Sequence, residues 1–300
     1  RMTDPGAAVR KRQPFFSVNE CEIWKGDPVY KLIVSDIDAT LINSKFLIPD
    51  YNLEMIRRVR EAGIQFMLCT GRLFGSARPY AKFLDLDTPL ITSNGAVTME
   101  WRERRDLFGT PMDPDTCAEV FRILDEMEMY YHFYSKDTFY SRKPPQEITG
   151  FRIMNEKLPE DERFPMLQTD DPAADAVRDP VYKISVRFSD PKDGQRFLER
   201  FESRTDIAIT SSFSDNYEIS APGVDKGAAV ARYAMMRGIR PEEIISFGDN
   251  KNDIGMIRYA GVGVAVANAV EELKSAADYV TDTNENSGVG KALAKIVFGE

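Results

Sequence analysis

Asp36 and Asp38 stand two residues apart just after a short apolar run, Leu32-Ile33-Val34, in the stretch Ser35-Asp36-Ile37-Asp38-Ala39-Thr40. Such a run with an abrupt polar stop predicts a parallel strand buried on both faces. Carboxylates at i and i+2 on a strand face the same way. Like charges that close are costly unless a cation lies between them, and a hard divalent cation with oxygen ligands meets that need. Open α/β sheets place ligands at the carboxyl ends of their strands. The pair therefore reads as a metal-assisted site with one carboxylate free for covalent work. The bland alternative is an Asp pair that only starts a turn.

Other strand ends carry matching groups. Ile64–Cys69 is a second apolar run and stops at Thr70-Gly71-Arg72; Ile244–Phe247 stops at Gly248-Asp249, with Asn252 and Asp253 close behind. Lys226 opens a helix, where a cation is disfavoured by the helix dipole, so a functional reason for it is favoured. Phosphoryl transfer needs this set. A carboxylate nucleophile takes the phosphoryl group, and a second carboxylate moves the proton of the leaving alcohol. A hydroxyl, backbone N–H groups and a lysine spread the charge of the transferring group. Asp253 as a mere helix cap and Arg72 as a mere surface charge are the local alternatives.

The elements that must hold these residues follow from periodicity. Helices are predicted over Asp50–Ala62 and Phe74–Leu84, with Pro89–Thr92 as a third strand. This β-α-β-α-β order predicts right-handed crossovers and a parallel sheet. The rhythm then changes. A helix over Asp113–Glu128 precedes aromatic-rich strands Tyr130–Tyr134 and Thr138–Ser141, read as a hairpin. Residues 143–179 read as loops with at most one short helix. Val181–Phe188 is an antiparallel strand, Gly194–Ser203 a helix and Ile207–Ser211 a strand. From Tyr217 the α/β pattern returns, with a helix over Lys226–Arg237, strands at Val262–Val266 and Tyr279–Val280, and a closing helix over Val289–Val297. The expected fold is α/β: a doubly wound, Rossmann-like parallel sheet with an inserted α+β unit. Its divisions are an extension at 1–29, with a short strand at Cys21–Trp24, core segments at 30–112 and 214–300, and the insertion at 113–213.

Composition excludes several classes. Acidic residues outnumber basic ones 48 to 39, for a net charge of −9, which argues against nucleic acid as a partner. Cys21, Cys69 and Cys117 share no metal spacing and form no disulfide framework. The single histidine, His132, sits in an aromatic run and reads as packing. No run approaches the ~18 apolar residues of a membrane span, and the N-terminal stretch lacks the apolar core of a signal peptide. A cytoplasmic location is the expectation; the sequence does not tell monomer from dimer.

These motifs together resemble the haloacid dehalogenase superfamily, in its Cof-like branch of capped, Mg²⁺-dependent phosphatases. The D-x-D-x-T signature matches Asp36–Thr40, the second motif Thr70, the lysine Lys226 within Asp225-Lys226-Gly227, and the acidic motif Gly248–Asp253. Ser93-Asn94-Gly95-Ala96 and Ala267-Asn268-Ala269 resemble segments of the branch. The resemblance implies Asp36 as nucleophile and Asp38 as general acid/base. It implies Mg²⁺ held by Asp36, the Asp38 carbonyl and Asp249, with Asp253 in support. Thr70, Gly71 and Lys226 would bind the phosphoryl oxygens, with Asn252 nearby. The implied substrate is a small phosphorylated metabolite such as a sugar phosphate. Cap residues within Tyr130–Tyr134, with Tyr140 and Arg142, are candidates for selecting it. A phosphosugar mutase or phosphotransferase using the same aspartate, or a non-catalytic sugar-phosphate-binding regulator, remains as the alternative. Ala39 stands where the family has glycine, which loses freedom at positive φ; Ala267 and Ser287 also depart from the branch.

Overall fold

The structure, a computed structural model, describes residues 29–143 and 149–300. The strand read at Cys21–Trp24 lies outside these residues. Five parallel strands form the central sheet: β1 (Leu32–Ser35), β2 (Gln65–Leu68), β12 (Ile244–Gly248), β13 (Val262–Ala265) and β14 (Tyr279–Val280). Their spatial order is β14-β13-β12-β1-β2. Alternation along β1 and β2 sends Ile33, Phe66 and Leu68 to one face, where α1 (Asp50–Glu61), α2 (Phe74–Phe83) and α10 (Gly288–Leu293) cover them. It sends Leu32, Val34, Met67 and Cys69 to the other, under α7 (Lys226–Arg237) and α8 (Ile254–Tyr259). Both faces are dry, so the strands need continuous apolar runs.

The third strand differs from its sequence reading. β3 (Leu90–Thr92) pairs with the parallel sheet through a single parallel bridge, from Ile91 to Cys69. It pairs antiparallel with β4 (Val97–Glu100), which pairs with β5 (Arg105–Gly109). Ser93 and Asn94, both at positive φ, turn the chain back between β3 and β4.

The inserted unit is built on a second sheet, ordered β10-β11-β9-β6-β7-β8. Its strands are β6 (Tyr130–Tyr134), β7 (Phe139–Ser141), β8 (Met166–Gln168), β9 (Lys183–Arg187), β10 (Ala208–Thr210) and β11 (Asn216–Ser220). The β6–β7 hairpin forms as expected. One face packs on α3 (Pro114–Glu126) and α6 (Pro191–Phe201) through Phe121, Phe133, Ile184 and Phe197. Two readings need correction. Residues 143–179 hold α4 (Thr149–Glu156), α5 (Pro172–Arg178) and β8, not loops with at most one helix. β11, expected in the second core segment, pairs with β9 and β10 in the cap sheet, so the chain returns to the core after Ser220 rather than at 214. Its alternation of Tyr217 and Ile219 with Asn216 and Glu218 fits a two-faced antiparallel strand, and no local signal says which sheet it joins. A short helix α9 (Glu271–Ala276) leads into β14. No helix among the described residues is long and apolar enough to cross a membrane.

Candidate active site

Asp36 follows β1 directly, and its N–H donates to Phe247 O on β12 at 3.0 Å. The chain then folds sharply, with the Leu41 and Ile42 N–H groups both donating to Ile37 O. Ala39 lies in that turn at φ +53°, the left-handed region where glycine is favoured. Ala39 thus carries backbone strain beside the site.

Lys226 is fully buried at the first turn of α7, its Nζ 2.7 Å from Asp36 Oδ1 and 2.6 Å from Asp253 Oδ1. Its place depends on Gly227, where a Cβ would run into the Gly255 backbone; only glycine lets α7 and α8 approach so closely. Burial alone would lower the Lys226 pKa, but Asp253 and Asp36 push it well above the ordinary value. Two carboxylates thus explain a lysine at the positive end of a helix.

Asp36, Asp249 and Asp253 offer carboxylate oxygens within 4.8 Å of one another. Asp249 Oδ1 accepts from the Thr40 hydroxyl at 2.8 Å. The second oxygens of Asp36 and Asp249 make no hydrogen bond among the described residues. Asp253 differs. Its Oδ1 takes Lys226 and its Oδ2 takes the N–H groups of Asp249 and Asn250, so it serves as the organiser of the cluster. Burial, opposed by Lys226 and aided by Asp253 and Asp38, lifts the Asp36 carboxyl to about 7. Burial, with Asp253 and Asp36 beside it, lifts Asp249 well above the carboxylate range. Three carboxylates against one lysine leave negative charge uncompensated, and Asp36 and Asp249 each keep an oxygen without a hydrogen bond among the described residues. That donor set fits a hard divalent cation.

Asp38 turns the other way. Arg72 grips it with both arms, Nη2 to Oδ1 at 2.6 Å and Nε to Oδ2 at 2.7 Å. Burial would raise the Asp38 pKa, but the guanidinium outweighs it and holds the carboxyl below its usual value. Arg72 is thus a mostly buried ion-pair partner of Asp38, not a surface charge. A bidentate fork is the strong form of such a pairing.

Thr70 and Gly71 end the second strand. Thr70 N–H donates to Ile91 O, and its Oγ1 accepts from Arg72 N at 3.2 Å. A Cβ on Gly71 would meet Asn94 Oδ1 at 2.8 Å. Asn252 donates to Asn94 Oδ1 at 3.1 Å, and Asn94 donates to Glu218 Oε2 at 2.7 Å. Glu218 also holds Lys183 at 2.6 Å, and Lys183 donates to Gly71 O. This buried pair from β9 and β11 docks the cap sheet on the Thr70–Gly71 loop. Burial would raise Glu218, but Lys183 holds it below its usual value.

Asp36, Asp38, Thr70, Gly71, Lys226, Asp249, Asn252 and Asp253 therefore come together, with Lys226 on one Asp253 oxygen and Arg72 on the Asp38 carboxylate. Sequence reasoning missed Lys183 and Glu218. Their only signal is polar residues at alternate positions of β9 and β11, which taken alone means no more than strand periodicity.

A cavity of ≈ 660 Å³ spans the cluster and the cap, reaching from Asp36, Thr70 and Asp249 to His132, Tyr134 and Lys183. His132 is nearly fully buried, stacked on Phe139 at 4.7 Å, and forms part of the cavity wall. Tyr140 and Arg142 lie elsewhere: Tyr140 stacks on Phe133 and donates to Asp179, and Arg142 donates to Asp170 O.

A family model for haloacid dehalogenase-like hydrolases matches residues 33–293. Pyridoxal phosphate phosphatase YbhA of Escherichia coli is 28% identical over 264 residues, spanning 88% of this chain and 97% of the relative. The 5-amino-6-(5-phospho-D-ribitylamino)uracil phosphatase YcsE of Bacillus subtilis is 30% identical over 272 residues, spanning 90% and 97%. A solved haloacid dehalogenase-like hydrolase from B. subtilis superposes with a TM-score of 0.79 at 27% identity, covering 89% of this chain and 99% of that one. With its motifs converging at the strand ends of a shared fold, the chain belongs to the haloacid dehalogenase-like hydrolases, among the Cof-like phosphatases.

Proposed function

We propose that the protein is a Mg²⁺-dependent phosphomonoester hydrolase that acts on a small phosphorylated metabolite through a covalent phosphate on Asp36. The observation that carries this reading is the Asp36 carboxylate, one oxygen fixed by buried Lys226 and the other without a hydrogen bond among the described residues, beside the cavity. The names of the relatives, phosphatases of pyridoxal phosphate and of a ribitylaminouracil phosphate, support a small phosphorylated substrate.

Asp36 attacks phosphorus, so an O–P bond forms as the ester O–P bond breaks. Thr70, the Gly71 N–H and Lys226 bind the phosphoryl oxygens, with Asn252 holding Asn94 against Gly71. Asp38 gives the leaving alcohol its proton and later takes one from the attacking water. Arg72 stabilises the ionised form of Asp38, so proton donation requires that grip to loosen; a bound anionic substrate competes for the guanidinium. Mg²⁺, held by Asp36, Asp249 and the Asp38 carbonyl with Asp253 in support, would offset the charge of carboxylates and phosphate.

The test is release of inorganic phosphate from a panel of phosphate monoesters, with Mg²⁺ and with a chelator. Release that depends on Mg²⁺ and is lost in Asp36→Asn, whose fold stays intact by circular dichroism, supports the reading. Wild-type turnover in that variant, or release indifferent to the chelator, overturns it.

A further inference from the structure

The loop between β1 and α1 carries two large apolar residues that the fold does not use. Phe46 is 63% and Leu47 60% exposed, and neither packs against the hydrophobic core. The loop is nonetheless held rigidly. Asn43 Oδ1 accepts from the N–H groups of Lys45 and Leu47, Phe46 N–H donates to Asn43 O, and Ser44 N–H donates to Glu285 at 2.6 Å. Phe46 sits at φ +61°, a conformation that is strained for a bulky side chain. An exposed ring on strained backbone is disfavoured on both counts, and such strain gathers at ligand clamps.

Both residues line the cavity above Asp36. So do Ile153 on α4 and Phe213 on the loop before β11, 42% and 46% exposed. Three separate segments thus bring exposed apolar side chains to one mouth. Arg187, a cap-sheet residue of the same cavity, places its guanidinium over the Phe213 ring at 5.1 Å, leaving a flat surface with a polar edge. A phosphoryl group fills little of the ≈ 660 Å³, so the rest must accept the alcohol part of the ester. Lys45, Lys157 and Arg187 line the same cavity, and an apolar collar with a few charged groups suits a flat organic ligand that carries an anionic group.

We propose that this collar selects phosphate monoesters whose alcohol carries an aromatic ring over esters of small polyhydroxy alcohols, and that Phe46 is a specificity-determining residue. The inference rests on the phosphatase reading, and the test separates the two. Benzyl phosphate and glycerol phosphate have alcohols of similar acidity, so they differ chiefly in what meets the collar. Acetyl phosphate carries a two-carbon acyl group and no ring, and so serves as the control for the phosphoryl chemistry. The wild-type protein should show a kcat/KM for benzyl phosphate about tenfold or more above that for glycerol phosphate. Phe46→Gly should lose about tenfold on benzyl phosphate, mainly through KM, with acetyl phosphate unchanged. Because glycine relieves the positive φ, its melting temperature should hold or rise.

Equal use of the two esters by the wild type, or a Phe46→Gly variant that keeps the benzyl phosphate rate, overturns the assignment. A lower melting temperature in Phe46→Gly would show that the ring serves the fold, and also overturns it. Phe213→Ser is the independent second variant and should lose the same selectivity. Hydrolysis of acetyl phosphate without any preference sinks the collar and leaves the phosphatase standing. No hydrolysis of any of the three compounds sinks both.

Discussion

Replacing Lys226 by methionine removes the one cation between Asp36 and Asp253 while keeping most of the side-chain volume. The two ion pairs it breaks are 2.7 and 2.6 Å long, and the lysine and Asp253 are fully buried. At an effective dielectric constant of about 20, each close pair is worth about 6 kcal/mol of Coulomb attraction. Returning the ammonium to water in the reference state recovers much of that, and removing one partner of a buried pair costs about 3–5 kcal/mol net. For a chain of this size, about 2–4 °C of melting temperature is lost per kcal/mol, so Lys226→Met should melt roughly 6–20 °C lower. The measurement is thermal unfolding with a chelator present, so that a bound cation does not stand in for the lysine. Phosphate release should fall by about 10²–10³, the loss typical of one donor to a transferring group. Adding Asp253→Asn removes one of the orphaned charges while leaving an oxygen for the N–H groups of Asp249 and Asn250. That double variant should regain part of the melting temperature and none of the activity. If Lys226→Met melts within 2 °C of the wild type (roughly 1 kcal/mol or less), or the double variant melts lower still, the ion-pair account of this site is refuted.

Two further outcomes follow from groups outside the reacting atoms. Burial, with Lys183 and Arg187 near, holds the His132 pKa well below its ordinary value, so the unfolded chain binds a proton that the native one refuses. Stability should therefore be full above about pH 6.5 and fall as pH drops below it, by up to about 1.4 kcal/mol per pH unit. Urea midpoints from pH 7.5 to 5 should show this slope, shallower in His132→Phe; equal slopes would refute it. Ala39→Gly relieves a residue at φ +53°, so its melting temperature should hold or rise, by the equivalent of at most about 1 kcal/mol; a clear fall would show that the methyl group packs usefully there.

The sequence by itself determined which polar side chains stand at the strand ends. A run such as Leu32-Ile33-Val34 followed by Asp36 and Asp38 is a local pattern, and so are Thr70 after β2, Asp249 after β12 and Lys226 at the start of α7. In a parallel sheet all such ends lie on one edge, so naming them names the site. The antiparallel β6–β7 hairpin was legible for the same reason, since turn and alternation are short-range.

What only the tertiary structure decided were the partnerships across distance in the chain. Arg72 could be a surface charge until its fork is seen on Asp38, 34 positions away. Lys183 and Glu218 look like ordinary polar strand residues until the cap sheet sets them against Gly71 and Asn94. β11 has a two-faced strand pattern that either sheet would accept, and only its register with β9 and β10 places it in the cap. Phe46 reads as one more apolar residue until its exposure and positive φ are measured together. The physical reason is common to all four. Backbone periodicity is fixed by neighbours in sequence, whereas the partner of a side chain is fixed by which elements the hydrophobic core brings together.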